Sequence, residues 1–148
     1  MAVRVQEADF DVGAELEALA AGDTEIGAVV SFTGLVRGTG GVSTMTLEHY
    51  PGMTEKALEA IEAEAHDRWP LQASLVIHRV GPLAPGTRIV FVATASRHRG
   101  AAFEAAEFLM DFLKTRAPFW KKEVAADGTA HWVDARETDD TAAARWAR

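Results

Sequence analysis

The sequence predicts an α+β fold in a single domain that spans residues 1–148. A chain of 148 residues, 48% of them apolar, can bury one substantial core but is too short for two. Strand-like and helix-like segments follow one another in the order βαββαββαββ with mostly short connections, a pattern that favours antiparallel sheet. Neither an internal repeat nor a low-complexity linker divides the chain.

Five segments are predicted in the first half of the chain. They are a strand at residues 3–6, a helix at 11–21, strands at 27–36 and 44–50, and a helix at 54–69. Leu16 and Leu19 face inward in the first helix, which ends at Gly22. A short glycine-rich loop at 38–41 separates the strands at 27–36 and 44–50, and these two strands are therefore predicted to form a hairpin.

The second half predicts more strands and a long central helix. The segments are strands at 73–80 and 87–95, a helix at 101–114, strands at 119–124 and 130–134, and a polar tail from about 137 that is either helical from Thr141 or mobile. The link at 81–86 contains two prolines and two glycines, which predicts antiparallel pairing of the strands on either side. A turn at Asp127-Gly128 separates the last two strands.

Basic side chains cluster at both ends of the helix at 101–114. Arg97, His98 and Arg99 precede its first turn, where the helix dipole favours acidic residues or bound anions. These cations therefore suggest an external anion, although side chains that face water or pair with surface carboxylates would explain them equally well. Lys114 lies at the edge of the narrow polar stripe of the helix, so its ammonium group is expected at the boundary of the core.

The strand at 119–124 carries a second lysine on a mixed surface. Alternation along the strand places Phe119, Lys121 and Glu123 on one face and Trp120 on the other. Lys121 could then reach the end of the helix that carries Lys114. Alternatively, Lys121 is one of two solvated lysines on an edge strand.

Composition excludes several classes of function. The net charge of −7 disfavours bulk binding to nucleic acids or membranes, but leaves room for a local basic site. The absence of cysteine excludes disulfides, thiolate metal sites and cysteine nucleophiles. The five histidines show no metal-ligand spacing, so no metal site is predicted. With no long apolar run and an acidic N-terminal region, the expected compartment is the cytoplasm.

Six segments in order carry a resemblance to a known family. They are 27–37 (GAVVSFTGLVR), 47–53 (LEHYPGM), 77–81 (IHRVG), 96–99 (SRHR), 113–123 (LKTRAPFWKKE) and 132–137 (WVDARE). Together they resemble the catalytic (large) subunit of molybdopterin synthase over nearly the whole chain. The resemblance implies an α/β-hammerhead fold with an additional antiparallel β-sheet. It also implies a homodimer that binds one small ubiquitin-like sulfur-carrier subunit at each end, giving a heterotetramer.

The reaction implied by the resemblance is a sulfur transfer without a cofactor. The carrier subunit brings sulfur as a thiocarboxylate on its C-terminal Gly-Gly tail, and the sulfur is added to cyclic pyranopterin monophosphate to form the dithiolene of molybdopterin. A chain without cysteine suits this chemistry, because the partner supplies the sulfur nucleophile.

The resemblance also implies roles for particular residues. Lys114 and Lys121 would be catalytic, whereas the substrate-binding residues would be Arg37, His98, Arg99, Arg136, Phe32 and Met110. Of these, Arg136 could come from the neighbouring subunit, and Phe32 and Met110 could equally be core residues. His49 and His78 lie in matching segments but are expected to be structural.

A competing hypothesis is a non-catalytic module that docks a ubiquitin-like tail or a phosphorylated ligand. The presence of both Lys114 and Lys121 favours the enzyme, because Arg97, Arg99 and Arg116 would suffice for anion docking.

Overall fold

A computed structural model describes residues 1–38, 41–133 and 137–147. Its strands are β1 (Ala2–Gln6), β2 (Ala28–Leu35), β3 (Val42–His49), β4 (Leu71–Arg79), β5 (Gly81–Leu83), β6 (Arg88–Ser96), β7 (Phe119–Ala125) and β8 (Ala130–Val133). Its helices are α1 (Val12–Ala20), α2 (Met53–Arg68), α3 (Arg99–Thr115) and α4 (Glu137–Ala144).

The strands form two four-stranded sheets. The first sheet has the order β1-β4-β6-β2, with β1 parallel to β4 and the other neighbours antiparallel. The second sheet has the order β5-β3-β7-β8 and is antiparallel throughout. The predicted α+β class with an additional antiparallel sheet is thus confirmed.

Helices cover both faces of the first sheet, and this explains the uninterrupted apolar runs at residues 75–77 of β4 and 89–93 of β6. Val76 and Val92 belong to the larger core, which also contains buried residues of α2 and α3. Ile77 and Phe91 belong to a smaller core on the opposite face, against which Leu16 of α1 packs. Neighbouring residues of one strand therefore enter different cores, as the alternation of side chains requires.

The predicted hairpin of the strands at 27–36 and 44–50 is wrong. β2 pairs with β6, starting at Ala28 opposite Ser96, whereas β3 pairs with β5 and β7 in the second sheet. Closeness in sequence favours a hairpin, but β6 is a buried strand whose backbone groups need a hydrogen-bonded neighbour on each side. β2 supplies that neighbour, and the chain then changes sheets before β3.

The ends of the chain also differ from the prediction. α4 begins at Glu137, four residues earlier than expected, and is followed by Trp146, which packs on Trp69 and Phe108.

The short strand β5 lies within the link that was predicted to be only a turn. Three residues of strand leave too little periodicity to detect in a sequence.

Candidate active site

A cavity of about 280 Å³ lies where the C-terminal end of α3 meets the second sheet. The walls come from both sheets, from α3 and from α4. The polar or charged residues that line the cavity are Arg37, His78, Lys114, Lys121, Glu123 and Asp139, and apolar walls include Met110 and Phe119. Lys114, Lys121, Arg37 and Met110, four of the residues predicted for the site, therefore share one cavity.

Lys114 reaches the cavity from the last turn of α3. The preceding turn contributes Met110, and Leu113 beside the lysine is buried in the core. Lys114 itself is exposed, as expected for a side chain at the edge of the polar stripe. The negative end of the helix dipole favours a cation at this position.

Lys121 reaches the cavity from β7. Phe119, Lys121 and Glu123 all line it, whereas Trp120 lies on the outer face and is 43% exposed. The predicted alternation of faces is therefore confirmed. β7 is held between β3 and β8, with Lys121 opposite Leu47 and Val133, so the backbone under this lysine is paired on both sides.

Arg37 lies just beyond β2 and contributes a third cation. Its side chain is exposed, and the preceding residue, Val36, is buried in the larger core. The buried valine anchors the backbone from which Arg37 projects. The glycine-rich loop that follows is only partly covered by the structure, since residues 39 and 40 lie outside the described ranges.

His78 lines the cavity although the sequence suggested only a structural role. Its imidazole stacks on Phe119, with ring centroids 3.8 Å apart and planes inclined by 20°. Burial lowers the pKa of His78 to about 4, and the positive charges of Lys121 and Lys114 act in the same direction. One signal in the sequence was this polar residue directly after the apolar run at residues 75–77.

Two carboxylates of the cavity were not predicted as site residues. Glu123 lies 3.4 Å from His131, measured from Oε2 to Nε2, and Asp139 lines the cavity from α4. The alternation along β7 had placed Glu123 on the same face as Lys121, and this signal could have identified it. Asp139 depends on how the tail folds back, which no local pattern shows.

Three predicted substrate-binding residues lie outside this cavity. His98 immediately precedes α3 and Arg99 is its first residue, so Arg99 is about 22 Å along the helix axis from Lys114. Phe32 lies on β2 and is 44% exposed. Arg136 lies outside the described residues. The roles of these residues remain predictions.

The cation cluster before α3 is partly explained by local pairing. Arg97 forms an ion pair with Glu25, and both side chains are exposed. This pair agrees with the alternative explanation, in which the basic side chains before α3 pair with surface carboxylates. His98 provides no side-chain hydrogen bond to cap the helix.

The described parts of the chain contain no cluster of His, Asp and Glu side chains that could hold a metal ion. Over the same parts, no helix has both the length and the apolar character needed to cross a membrane.

Solved structures share this fold. A molybdopterin biosynthesis MoaE protein from Burkholderia ambifaria superposes with a TM-score of 0.86 at 58% identity, covering 99% of this chain and 98% of that one. A chain from a protein–protein complex of subunits 1 and 2 of molybdopterin-converting factor from Helicobacter pylori superposes with a TM-score of 0.74 at 20% identity, covering 91% and 90%. The chain therefore has the fold of these molybdopterin biosynthesis proteins.

Sequence comparison assigns the family. The model described as MoaE protein matches residues 5–116. A molybdopterin synthase catalytic subunit from Ralstonia nicotianae is 63% identical over 147 residues, which cover 97% of this chain and 83% of the relative. The chain belongs to the MoaE family.

Proposed function

We propose that this chain is the catalytic subunit of a molybdopterin synthase, a sulfurtransferase of molybdenum cofactor biosynthesis. Its substrate would be cyclic pyranopterin monophosphate, and its product the dithiolene of molybdopterin. Relatives named molybdopterin synthase catalytic subunit match almost the full length of the chain. Residues 1–148 would act as one domain in the cytoplasm.

The observation that carries this proposal is the cavity shared by Lys114, Lys121 and Arg37. Both expected reactants are anionic, because the pterin bears a phosphate and the carrier tail ends in a thiocarboxylate. Cations in a partly enclosed cavity attract such groups more strongly than they would in open water. The apolar walls formed by Met110 and Phe119 would help to exclude water.

The two lysines would have different roles. Lys114, at the exposed rim, would contact the carrier's C-terminus and polarise its acyl carbonyl while sulfur is transferred to the pterin. Lys121 would act beside it as a proton donor and acceptor, or stabilise the negative charge that develops. In each transfer, the thiocarboxylate sulfur would bond to a carbon of the substrate and form a thioester between carrier and substrate. Water would then cleave the acyl–sulfur bond of this thioester, leaving the sulfur on the substrate and an ordinary carboxylate on the carrier.

The partner would be a small ubiquitin-like carrier with a thiocarboxylated Gly-Gly tail. A tail of two glycines has no side chains to exclude it from a narrow opening, and its backbone can approach the cavity walls closely. The cavity volume of about 280 Å³ suits the end of such a tail together with part of a pterin, but not a folded domain.

His98 and Arg99 would bind substrate in the cavity of a second copy. They lie too far from Lys114 to act in their own cavity, and Arg99 is exposed at a helix N-terminus, where anions are favoured. A homodimer would bring them, with Phe32 and Arg136, to the opposite cavity. Two such copies, each with one carrier, would form a heterotetramer.

A conversion assay tests the proposed function. Purified chain, thiocarboxylated carrier and cyclic pyranopterin monophosphate are mixed, and molybdopterin is measured. Lys114→Ala should reduce turnover about 100-fold to 1000-fold, the loss expected when a group that stabilises transition-state charge is removed. Lys121→Ala should also reduce turnover strongly.

Lys122→Ala is the matched control. Lys122 neighbours Lys121 on β7, and its ammonium lies 5.9 Å from the ring centroid of Trp132, outside the cavity. This variant should keep near-normal turnover. Carrier binding without any product from the unaltered chain would instead support a non-catalytic docking module, and normal turnover in Lys114→Ala would remove its central role.

A further inference from the structure

His78 is a polar side chain held almost entirely inside the protein. It is 7% exposed and lies on β4, with Val5 of β1 and Val90 of β6 as its neighbours in the sheet. Burying an imidazole costs free energy unless its nitrogen atoms find partners. An apolar residue here would pack without that cost, so packing alone does not account for a histidine at this position.

The hydrogen bonding of His78 defines which nitrogen atom is available. Its Nδ1 lies 2.9 Å from the carbonyl oxygen of Arg79, and a carbonyl oxygen can only accept, so Nδ1 carries the hydrogen. In the neutral imidazole, Nε2 is then an acceptor. Within the described part of the chain, Nε2 has no hydrogen-bonding partner. The stacked ring of Phe119 fixes the plane of the imidazole.

The surroundings keep His78 uncharged near neutral pH. Burial is the main cause of its pKa of about 4, and the positive charges of Lys121, Lys114 and His49 lower the pKa further. The hydrogen bond to Arg79 acts in the opposite direction but does not outweigh these effects. Nε2 therefore remains an acceptor throughout the physiological range.

An uncharged acceptor complements the other polar groups of the cavity. The side chains of Arg37, Lys114 and Lys121 can only donate hydrogen bonds while charged. A pterin ring carries N–H groups that need acceptors once water is excluded. Glu123 is already close to His131, which leaves the imidazole of His78 as a neutral acceptor on the buried wall.

We propose that His78 is a substrate-binding residue whose Nε2 accepts a hydrogen bond from an N–H group of the pterin ring. The inference rests on the function proposed above and deepens it, because it assigns recognition of the ring to the buried wall and leaves recognition of the anionic groups to the cations. The cavity would thereby distinguish a pterin from a phosphorylated ligand that lacks such a donor.

Three variants of His78 separate binding from a structural role. In His78→Asn, the amide nitrogen can replace Nδ1 and keep the bond to Arg79, but nothing replaces Nε2. In His78→Gln, the amide oxygen can replace Nε2. In His78→Phe, the ring can still stack on Phe119, but both nitrogen atoms are lost.

The measurement is the dissociation constant of cyclic pyranopterin monophosphate for the full chain, by isothermal titration calorimetry, with molybdopterin formation in parallel. His78→Asn and His78→Phe should weaken binding about 10-fold to 100-fold, as expected for one buried hydrogen bond. His78→Gln should recover part of this loss. A purely structural role predicts the reverse order, with the asparagine and phenylalanine variants nearer to normal.

His66→Phe is the control for a loss of stability alone. His66 forms a 2.7 Å hydrogen bond from Nε2 to Ser74 Oγ and does not line the cavity. This variant should bind substrate normally as long as it is folded. If the His78 variants fail to fold, ¹⁵N NMR of the unaltered chain provides the test, because the Nε2 resonance of His78 should shift when cyclic pyranopterin monophosphate is added.

The outcomes distinguish this inference from the proposed function. Substrate binding without molybdopterin formation by the unaltered chain would refute the proposed function and still allow the His78 variants to be compared. Normal conversion, combined with unchanged binding in His78→Phe or an unmoved Nε2 resonance, would refute the role of His78 alone.

Discussion

At the scale of single residues, position decides what each lysine can do. Lys114 projects from the last turn of α3, and Lys121 projects from the inner face of β7. Lys122, one residue further, lies on the outer face beside Trp132. The same side chain is thus a candidate catalytic group on one face and a surface cation on the other, because strand residues alternate in direction.

The buried His78 should make stability depend on pH. Its pKa is about 4 in the folded chain, against the ordinary value of 6.5 for a solvent-exposed histidine in the unfolded chain. Between these values the unfolded state binds a proton that the folded state does not, so stability is lost as the pH falls from 6.5 towards 4. Between pH 7 and pH 5 this loss amounts to about 2 kcal/mol.

The variant His78→Phe cannot bind that proton. Its free energy of unfolding should therefore fall less between pH 7 and pH 5 than that of the unaltered chain, as measured by urea denaturation at each pH. Trp132→Ala, at an exposed position without a titratable group, is the control and should keep the original slope. Equal slopes for His78→Phe and the unaltered chain would contradict the prediction.

At the scale of elements, side-chain contacts attach α4 to α3. Arg145 pairs with Glu107 and Asp111 on α3, and the indole Nε1 of Trp146 donates to Asp111 at 2.6 Å. Arg68 of α2 donates to the backbone oxygen of Trp146. These contacts hold α4 where its Asp139 can line the cavity.

Trp146→Ala should weaken the attachment of α4 to α3. Removing the indole takes away its edge-to-face contacts with Trp69 and Phe108 and leaves Asp111 without one donor. We expect a loss of about 2–3 kcal/mol in the free energy of unfolding, measured with a chemical denaturant. Trp132→Ala, at a tryptophan that is 54% exposed, should cost under about 1 kcal/mol. Similar losses in both variants would show that Trp146 does not anchor the helix.

At the scale of the whole molecule, the basic residues are divided between two distant places. The cavity holds Arg37, Lys114 and Lys121, whereas His98 and Arg99 lie at the other end of α3. A symmetric dimer can bring one end of this helix to the cavity of the other copy. The proposed homodimer would therefore be necessary for a complete site.

Mixing two inactive variants tests this arrangement. In a dimer of one Lys114→Ala copy and one Arg99→Ala copy, one of the two sites would combine an intact cavity with an intact Arg99. Random mixing should therefore restore about a quarter of the original activity, because half of the dimers are mixed and each has one complete site. The readout is molybdopterin formation after the two variants are unfolded and refolded together.

Each variant refolded alone is the control and should remain weakly active. Activity in the mixture that equals the average of the two separate preparations would contradict shared sites. A chain that remains monomeric at assay concentration, yet is fully active, would contradict the homodimer itself.

Most of the fold was predictable because its signals are local. The α1, α2 and α3 helices lie within a few residues of their predicted bounds, since capping residues and apolar spacing mark them. Asp11, for example, accepts a hydrogen bond from the backbone nitrogen of Ala14 at the start of α1. The pairing of β2 was not predictable, because its partner β6 lies more than fifty residues away.

The sequence by itself determined the α+β class, the family and the inner face of β7, since each depends on residue order and on the alternation of side chains along the backbone. Only the tertiary structure decided that β2 and β3 lie in different sheets, that His78 and Asp139 enter the cavity, and that His98 and Arg99 do not. These features depend on contacts between distant segments, which form when strands and helices bury their apolar surfaces together and leave no local trace in the chain.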